Sequence, residues 1–253
     1  MNYNLENKMI SRPTKEVYKD GDNTIKLFVE NYSKCDILNE ALIQARVEEN
    51  TDLNIPLLRE VTKINNRWAI VSEYIEGDTI EELMNKYPEK AGEYLNWFVD
   101  IQLTVLSREV PFLNRIKDKY SQRINQLTEI SDAIRYELLQ RLDSMPNHCK
   151  LCHGDFVPSN VVIEPDTNWA IIDWAHATQG NTSADAANTY LNFIIGNQEA
   201  RAEEYLNIFA QKSGIDIHLI QKWIPIVAAV RLQKGKLEEK EILHRFVDVV
   251  DFS

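Results

Sequence analysis

An α+β fold follows from three features of the sequence. Two pairs of short apolar runs near the N-terminus are each joined by a strong turn cluster, the hydrophobic period lengthens from two residues to that of a helix around Asp78, and the mostly helical remainder is interrupted by one further hairpin. The expected layout is a small antiparallel sheet with one helix in residues 1–77, followed by a largely helical body in residues 78–253.

Residues 16–19 and 24–28 flank Asp20, Gly21, Asp22 and Asn23, which predicts a β-hairpin. Lys26 lies in its second strand, with Ile25 and Leu27 on the opposite face; taken alone it reads either as a solvated lysine or as a site residue. Ser33 with Asp36 three positions on predicts an N-cap ahead of a helix whose apolar stripe is Ile37, Leu38, Ala41, Leu42 and Ala45. Glu40 falls off that stripe, whereas Glu48 sits nearer its edge. Residues 57–64 and 67–74, separated by Asn65 and Asn66, predict a second hairpin. Asp78 and Glu81 then read as a capping box that opens a helix, which makes this the best domain boundary. Beyond Glu89, Tyr94, Leu95, Phe98, Ile101 and Val105 are spaced for one buried face, with Trp97 and Phe98 expected in the core. Ile124, Leu127, Ile134, Leu138 and Leu142 suggest further helices, and 186–195, 199–212, 218–232 and 237–250 read as four more.

The stretch LCHGDFVPSNVVIEPDTNWAIIDW, residues 151–174, carries the chemistry. Val161, Val162 and Ile163 form a β-branched run, Pro165, Asp166 and Asn168 supply a turn, and a second apolar run starts at Trp169. If Glu164 and Trp169 close a four-residue loop, Asn160 faces Asp173 across the hairpin. Opposed residues lie about 4.5 to 5.5 Å apart at Cβ, so amide and carboxylate could share a hard cation such as Mg²⁺. Asp155 adds a second carboxylate at the same end. Cys149, Cys152 and His153 also spell CxxCH, the pattern of covalent haem attachment. That chemistry belongs to exported proteins, and the opening MNYNLENKMI has no apolar core; a structural zinc would need a second ligand pair, and Cys35 stands alone.

Composition narrows the classes. Hydrophobic content of 44% supports a full core, and the formal charge of -11 argues against nucleic-acid binding, which rests on basic residues neutralising phosphates. The same charge reads first as ordinary acidity that keeps an enzyme in solution, and second as suited to a cationic substrate. Three cysteines and no apolar run near the ~18 residues needed to cross a bilayer point to a cytoplasmic protein without membrane association.

His153, Asp155, Asn160 and Asp173, in the order HGDxxxxN then IDW, resemble the catalytic signature of the aminoglycoside phosphotransferase and choline kinase group, which has the two-lobed protein-kinase-like fold. The segment SRPTKEVYKDGDNTIKLF resembles the opening of the same group. The resemblance implies that Asp155 is the catalytic base facing the acceptor hydroxyl and that Asn160 and Asp173 hold Mg²⁺ on the phosphates of ATP. It implies that Lys26 contacts the α and β phosphates, that Glu40 pairs with Lys26, and that Glu73 and Ile75 belong to a hinge whose backbone binds the adenine edge between the lobes. Asp185 is implied to be a buried carboxylate accepting hydrogen bonds from the catalytic loop. Such residues suit phosphoryl transfer, whose loose transition state asks chiefly for positioning and charge neutralisation. The sequence departs from the group's common HGDFHPGN form at Val157 and Ser159. No glycine lies before Gly21, so Ser11 to Lys15 must replace a glycine-rich phosphate loop. The expected activity is transfer of the γ-phosphoryl group of ATP to a hydroxyl of a small molecule, aminoglycoside- or choline-like. The alternatives are a nucleotide-binding pseudokinase, which predicts a missing lysine, base or metal ligand, and a protein-directed kinase, which would carry an APE element.

Overall fold

Both N-terminal turn clusters close hairpins. The computed structural model describes residues 3–166, 168–233 and 237–247. Strands β1 (Lys8–Ser11), β2 (Lys15–Asp20) and β3 (Asn23–Phe28) run antiparallel. Helix α1 (Lys34–Asn50) follows, then β4 (Leu58–Ile64) and β5 (Arg67–Glu73). Asn65 and Asn66 between them take φ of 50° and 64°, the pair of positive values that a two-residue hairpin turn requires and that asparagine tolerates. The resulting sheet has the order β1-β2-β3-β5-β4. Strand β1 has no signal in the sequence, because its residues KMIS are all exposed and it exists through pairing with β2.

The chain divides into two compact units. One comprises the chain up to Lys86 together with Pro158–His176; the other comprises Tyr87–Val157 and the chain from Ala177 onward.

In the first unit the sheet is covered on both faces. Tyr18, Ile25, Leu27, Ala69 and Val71 pack on one side with Tyr3, Leu5 and Ile64, and Phe28 and Ile70 pack on the other against Ile37 and Ala41 of α1. Helix α1 begins as expected, with Ser33 Oγ accepting the Asp36 N–H at 3.3 Å. Its buried face differs from the expected stripe: Ile37, Ala41, Ile43 and Val47 are buried, whereas Leu38 and Leu42 are exposed. Positions 37, 40, 41, 44 and 47 share the sheet-facing side, which brings Glu40 inward. Glu48 accepts the Leu58 N–H at 2.8 Å and so serves the start of β4.

A second sheet of this unit joins β6 (Asp78–Thr79), β8 (Val161–Ile163) and β9 (Trp169–Ile171), where β7 is a strand of the other unit given below. The capping box lies one residue later than expected. Thr79 and Glu82 exchange hydrogen bonds, Glu82 Oε2 taking the Thr79 N–H at 2.7 Å and Thr79 Oγ1 taking the Glu82 N–H at 3.1 Å, and open α2 (Ile80–Lys86). Asp78 instead pairs with Ile163 in the sheet.

The second unit contains α3 (Ala91–Leu106), α4 (Ile116–Gln126), α5 (Asp132–Ser144), β7 (Lys150–Cys152) paired with β10 (Thr178–Gly180), and α6 (Thr182–Ile195), α7 (Glu199–Ser213), α8 (Ile217–Gln221), α9 (Ile224–Leu232) and α10 (Leu237–Val247). Its core centres on Phe98, whose ring lies 4.7 Å from that of Phe156, with Phe193 and Tyr205 beside it. Trp97 is a correction: it is 47% exposed and meets Tyr94 edge-on. The single helix expected over 218–232 is two, broken at Lys222 and Trp223, because Pro225 lacks the N–H that a continuous helix would use. The last helix is described to Val247; positions 248–250 of the expected span lie outside the described residues.

Candidate active site

The signature residues fall into two groups, one in each unit. In the first unit, Lys26 pairs across strands with Val17 and Ile70, on the α1 side of the sheet. Its ammonium forms an ion pair with Glu40 and another with Asp173 Oδ1, at 2.9 Å. Lys26 and Glu40 are mostly buried, so neither reads as a solvated surface charge. Burial pulls the Lys26 ammonium down, but Asp173 and Glu40 overcome this and hold it above its ordinary value. Burial likewise pushes the Asp173 carboxyl up, and Lys26 and Lys15 reverse that and hold it well below the usual carboxylate range. Asp173 therefore stays ionised. Lys15 Nζ lies 3.7 Å from Asp173 Oδ2, and burial together with the nearby Lys26 lowers its own affinity for a proton.

The hairpin register differs from the expected one by a residue. Val161 pairs with Ile171 and Ile163 with Trp169, and the Glu164 N–H donates to the Asn168 carbonyl at 2.9 Å, so the loop closes one position tighter. Asn160 thus faces Ile172, whose N–H its carbonyl accepts at 3.0 Å, and Asp173 lies one residue beyond, in a left-handed conformation with φ of 61°. A one-residue slip moves a side chain to the other face of a strand; the αL turn at Asp173 is what re-aims its carboxylate towards Lys26. Asn160 and Asp173 are hard oxygen donors and fit Mg²⁺, which takes one or two protein ligands and fills its shell with phosphate oxygens and water. No cluster of three or more His, Cys, Asp or Glu side chains suited to a metal occurs among the described residues.

The stretch Glu73 to Gly77 continues from β5. The Glu73 N–H donates to the Leu57 carbonyl at 2.9 Å, the Tyr74 N–H to that of Asp22 at 3.0 Å, and Ile75 follows as half-buried chain outside any strand. Gly77 lies at φ of 152°, with a Cβ position only 2.3 Å from the Ile163 carbonyl oxygen, so no other residue fits there without displacement.

In the second unit, β7 delivers His153, Gly154 and Asp155. His153 is buried, its ring edge-on to Phe156. Gly154 turns the chain at φ of 77° and gives its N–H to Asp185 Oδ1 at 2.8 Å. Asp185 is fully buried and accepts Gln102 Nε2 at 3.1 Å on its other oxygen. Burial pushes its carboxyl up from the ordinary value, opposed by the Gly154 N–H, by His153 and by Gln102. Along the same face of α6, Asn188 donates to the Gly154 carbonyl at 2.9 Å and Asn192 donates to Asp155 Oδ1 at 3.4 Å.

Four residues around these groups were not singled out from the sequence. Lys15 shares a sheet face with Lys26, two residues before Val17, and that alternation could have found it. Asn188 and Asn192 continue from Asp185 at helical spacing in a mostly buried helix, and Arg231 is a lone charge in the apolar run IPIVAAVRL.

Residues 58–216 match the model of the phosphotransferase enzyme family. A comparison with curated protein sequences returned no match. Among solved structures, the chain is similar to a thermostable mutant of aminoglycoside phosphotransferase APH(4)-Ia in ternary complex with ADP and hygromycin B, at 13% identity and TM-score 0.71, covering 96% of this chain and 92% of that one. It is also similar to ADP-bound aminoglycoside phosphotransferase APH(2'')-Ib, at 15% identity, TM-score 0.64 and coverage of 98% and 93%. A third is an aminoglycoside-3'-phosphotransferase of type VIII, at 11% identity, TM-score 0.64 and coverage of 90% and 93%. The antiparallel sheet and the helical region reproduce the kinase-like fold of these enzymes.

Proposed function

The chain belongs to the phosphotransferase enzyme family, and from that premise we propose that it is a small-molecule kinase, transferring the γ-phosphoryl group of ATP to a hydroxyl of its substrate with the aid of Mg²⁺. The observation that carries the reading is the ion-paired trio Glu40, Lys26 and Asp173. A buried lysine held between two carboxylates is a fixed cation whose partners phosphate oxygens can replace.

In this reading residues 1–77 form the nucleotide-binding lobe and residues 78–253 the catalytic and substrate lobe. Lys26 offsets charge on the α and β phosphates, Glu40 fixes its ammonium, and backbone groups of Glu73 and Ile75 meet the adenine edge. Asp173 and Asn160 would hold Mg²⁺, which when bound neutralises phosphate charge. Asp155 orients the acceptor hydroxyl and takes its proton as the bond to phosphorus forms. Lys26, Asp155, Asn160 and Asp173 are all present, which favours an enzyme over a pseudokinase.

The net charge of -11 supports a cationic acceptor of the aminoglycoside or choline kind; one of the similar structures holds hygromycin B. Three free cysteines fit a reducing cytoplasm, and no helix among the described residues is long and apolar enough to cross a membrane. The test is ATP consumption by the purified protein against aminoglycosides, choline, amino-alcohols, sugars and nucleosides. Turnover with one of these classes supports the reading; turnover with a protein substrate alone overturns it.

A further inference from the structure

Arg231 is the only ionisable side chain of α9, and it lies mostly buried against α6. Its Nη1 donates to Asn192 Oδ1 at 2.5 Å and to Asn188 Oδ1 at 3.3 Å. These asparagines sit four residues apart on one face of α6, and each turns its amide nitrogen to the catalytic loop, Asn188 to the Gly154 carbonyl and Asn192 to Asp155 Oδ1. With Asp185 taking the Gly154 N–H, the face of α6 reads in succession the amide of Gly154, its carbonyl, and the carboxylate of Asp155.

A side-chain amide can present either its oxygen or its nitrogen, and its neighbours decide which. A guanidinium can only donate. Its presence therefore directs both asparagine oxygens to Arg231 and both NH₂ groups to the loop. Without it, the Asn192 oxygen loses its partner, and only the 3.4 Å contact with the Asp155 carboxylate is left to fix the amide. The Asn192 to Asp155 contact is already at the long end for a hydrogen bond, so its length and aim depend on what holds Asn192 from behind. Asp155 in turn offsets part of the cost of burying the Arg231 charge.

We propose that Arg231 is a positioning residue for the catalytic base, acting through Asn192 on the carboxylate of Asp155 and through Asn188 on the peptide that carries it. The proposal rests on the reading of Asp155 as the base.

The test uses the full chain with Mg·ATP and water as the acceptor, following phosphate release. Arg231→Met removes the donors while keeping an apolar stem of similar length. It should lower kcat by about 10- to 100-fold, the scale of a misplaced catalytic group, with KM for ATP unchanged. Arg231→Lys keeps charge and donors without the fork and should recover part of the loss. The deciding measurement is the double variant: a residue acting only through Asp155 has nothing left to position once the base is gone, so Asp155→Asn with Arg231→Met should be no slower than Asp155→Asn alone. A full additional loss in the double variant, a raised KM in place of a lowered kcat, or a wild-type rate in Arg231→Met beside a slow Asp155→Asn overturns the proposal alone. A wild-type rate in Asp155→Asn overturns the base assignment and the proposal with it. Should Arg231→Met fail to fold, Asn192→Ala carries the same expectations at the middle of the relay.

Discussion

Gly154 gives its backbone N–H to Asp185 Oδ1 at 2.8 Å, and the other Asp185 oxygen takes Gln102 Nε2 at 3.1 Å. Turning Gln102 round would cost the hydrogen bond its oxygen accepts from the Tyr205 hydroxyl at 2.7 Å and its own donation to Thr189 Oγ1 at 3.1 Å. Asp185→Asn therefore sets an NH₂ group against a donor on one side or the other. The expected loss is about 1–3 kcal/mol, that of one unsatisfied buried polar group, and chemical denaturation measures it. Wild-type stability in Asp185→Asn would show that the network rearranges at no cost.

Acid and alkali should each weaken the Lys26 and Asp173 pair, acid through the carboxylate and alkali through the ammonium. The Asp173 carboxyl is depressed in the folded protein, so the stability it contributes is present above the unfolded value near ~3.9 and is lost as pH falls through the lower folded value. Lys26 is raised, so its contribution is present below about 10.4 and is lost as pH rises through the higher folded value. Asp173→Asn tests the acid limb, since asparagine tolerates φ of 61°. The stability gap between wild type and this variant should be steady near neutrality and shrink below about pH 4. A gap that widens on acidification contradicts the assignment.

Binding and transfer should separate by residue. Lys26→Met and Asp173→Asn should weaken Mg²⁺-dependent ATP binding, and Asn160→Ala should do so less, because a neutral amide contributes less charge. Asp155→Asn should bind Mg·ATP as wild type while transfer falls by about 10²- to 10⁴-fold, the usual contribution of a positioned base. Calorimetric titration of the four variants with ATP, with and without Mg²⁺, checks the division. Loss of binding in Asp155→Asn alongside normal binding in Asp173→Asn would reverse the roles.

Gly77→Ala should destabilise the protein by about 2 kcal/mol or more, by overpacking and backbone strain together. The added Cβ would meet a backbone oxygen at 2.3 Å and Val162 Cγ1 at 2.9 Å, and a carbonyl in a sheet has little room to give. Thermal unfolding reads the effect. An unchanged Tm would mean that the chain shifts freely at Gly77.

What the sequence shows most clearly here is set by local chemistry. Turn residues at 20–23 and 65–66 and the Ser33 cap act through neighbours in the chain, and all of them form. Errors arise where a choice depends on packing or on a count of one. Leu38 and Leu42 suggested an apolar stripe, but the sheet takes Ile37, Ala41 and Val47 instead and thereby turns Glu40 inward. The loop after Glu164 is one residue tighter than assumed, and the left-handed Asp173 recovers what the register loses. Lys15, Asn192 and Arg231 stayed hidden because each gains its meaning from a partner remote in sequence.

The first unit is discontinuous in the chain, and this bears on how it is made. Strand β6 finds its neighbour β8, and the Asn54 carbonyl finds the Ile171 N–H, only after residues 87–157 have been synthesised. At roughly 5–20 residues per second, the N-terminal sheet waits on the order of ten seconds for the segment that completes it. During that interval Lys26 has Glu40 within reach but Lys15 and Lys26 both lack Asp173, so two cations of the nascent sheet share one carboxylate. Order of synthesis thus makes the arrival of residues 158–176 the step at which the N-terminal half gains its final electrostatics.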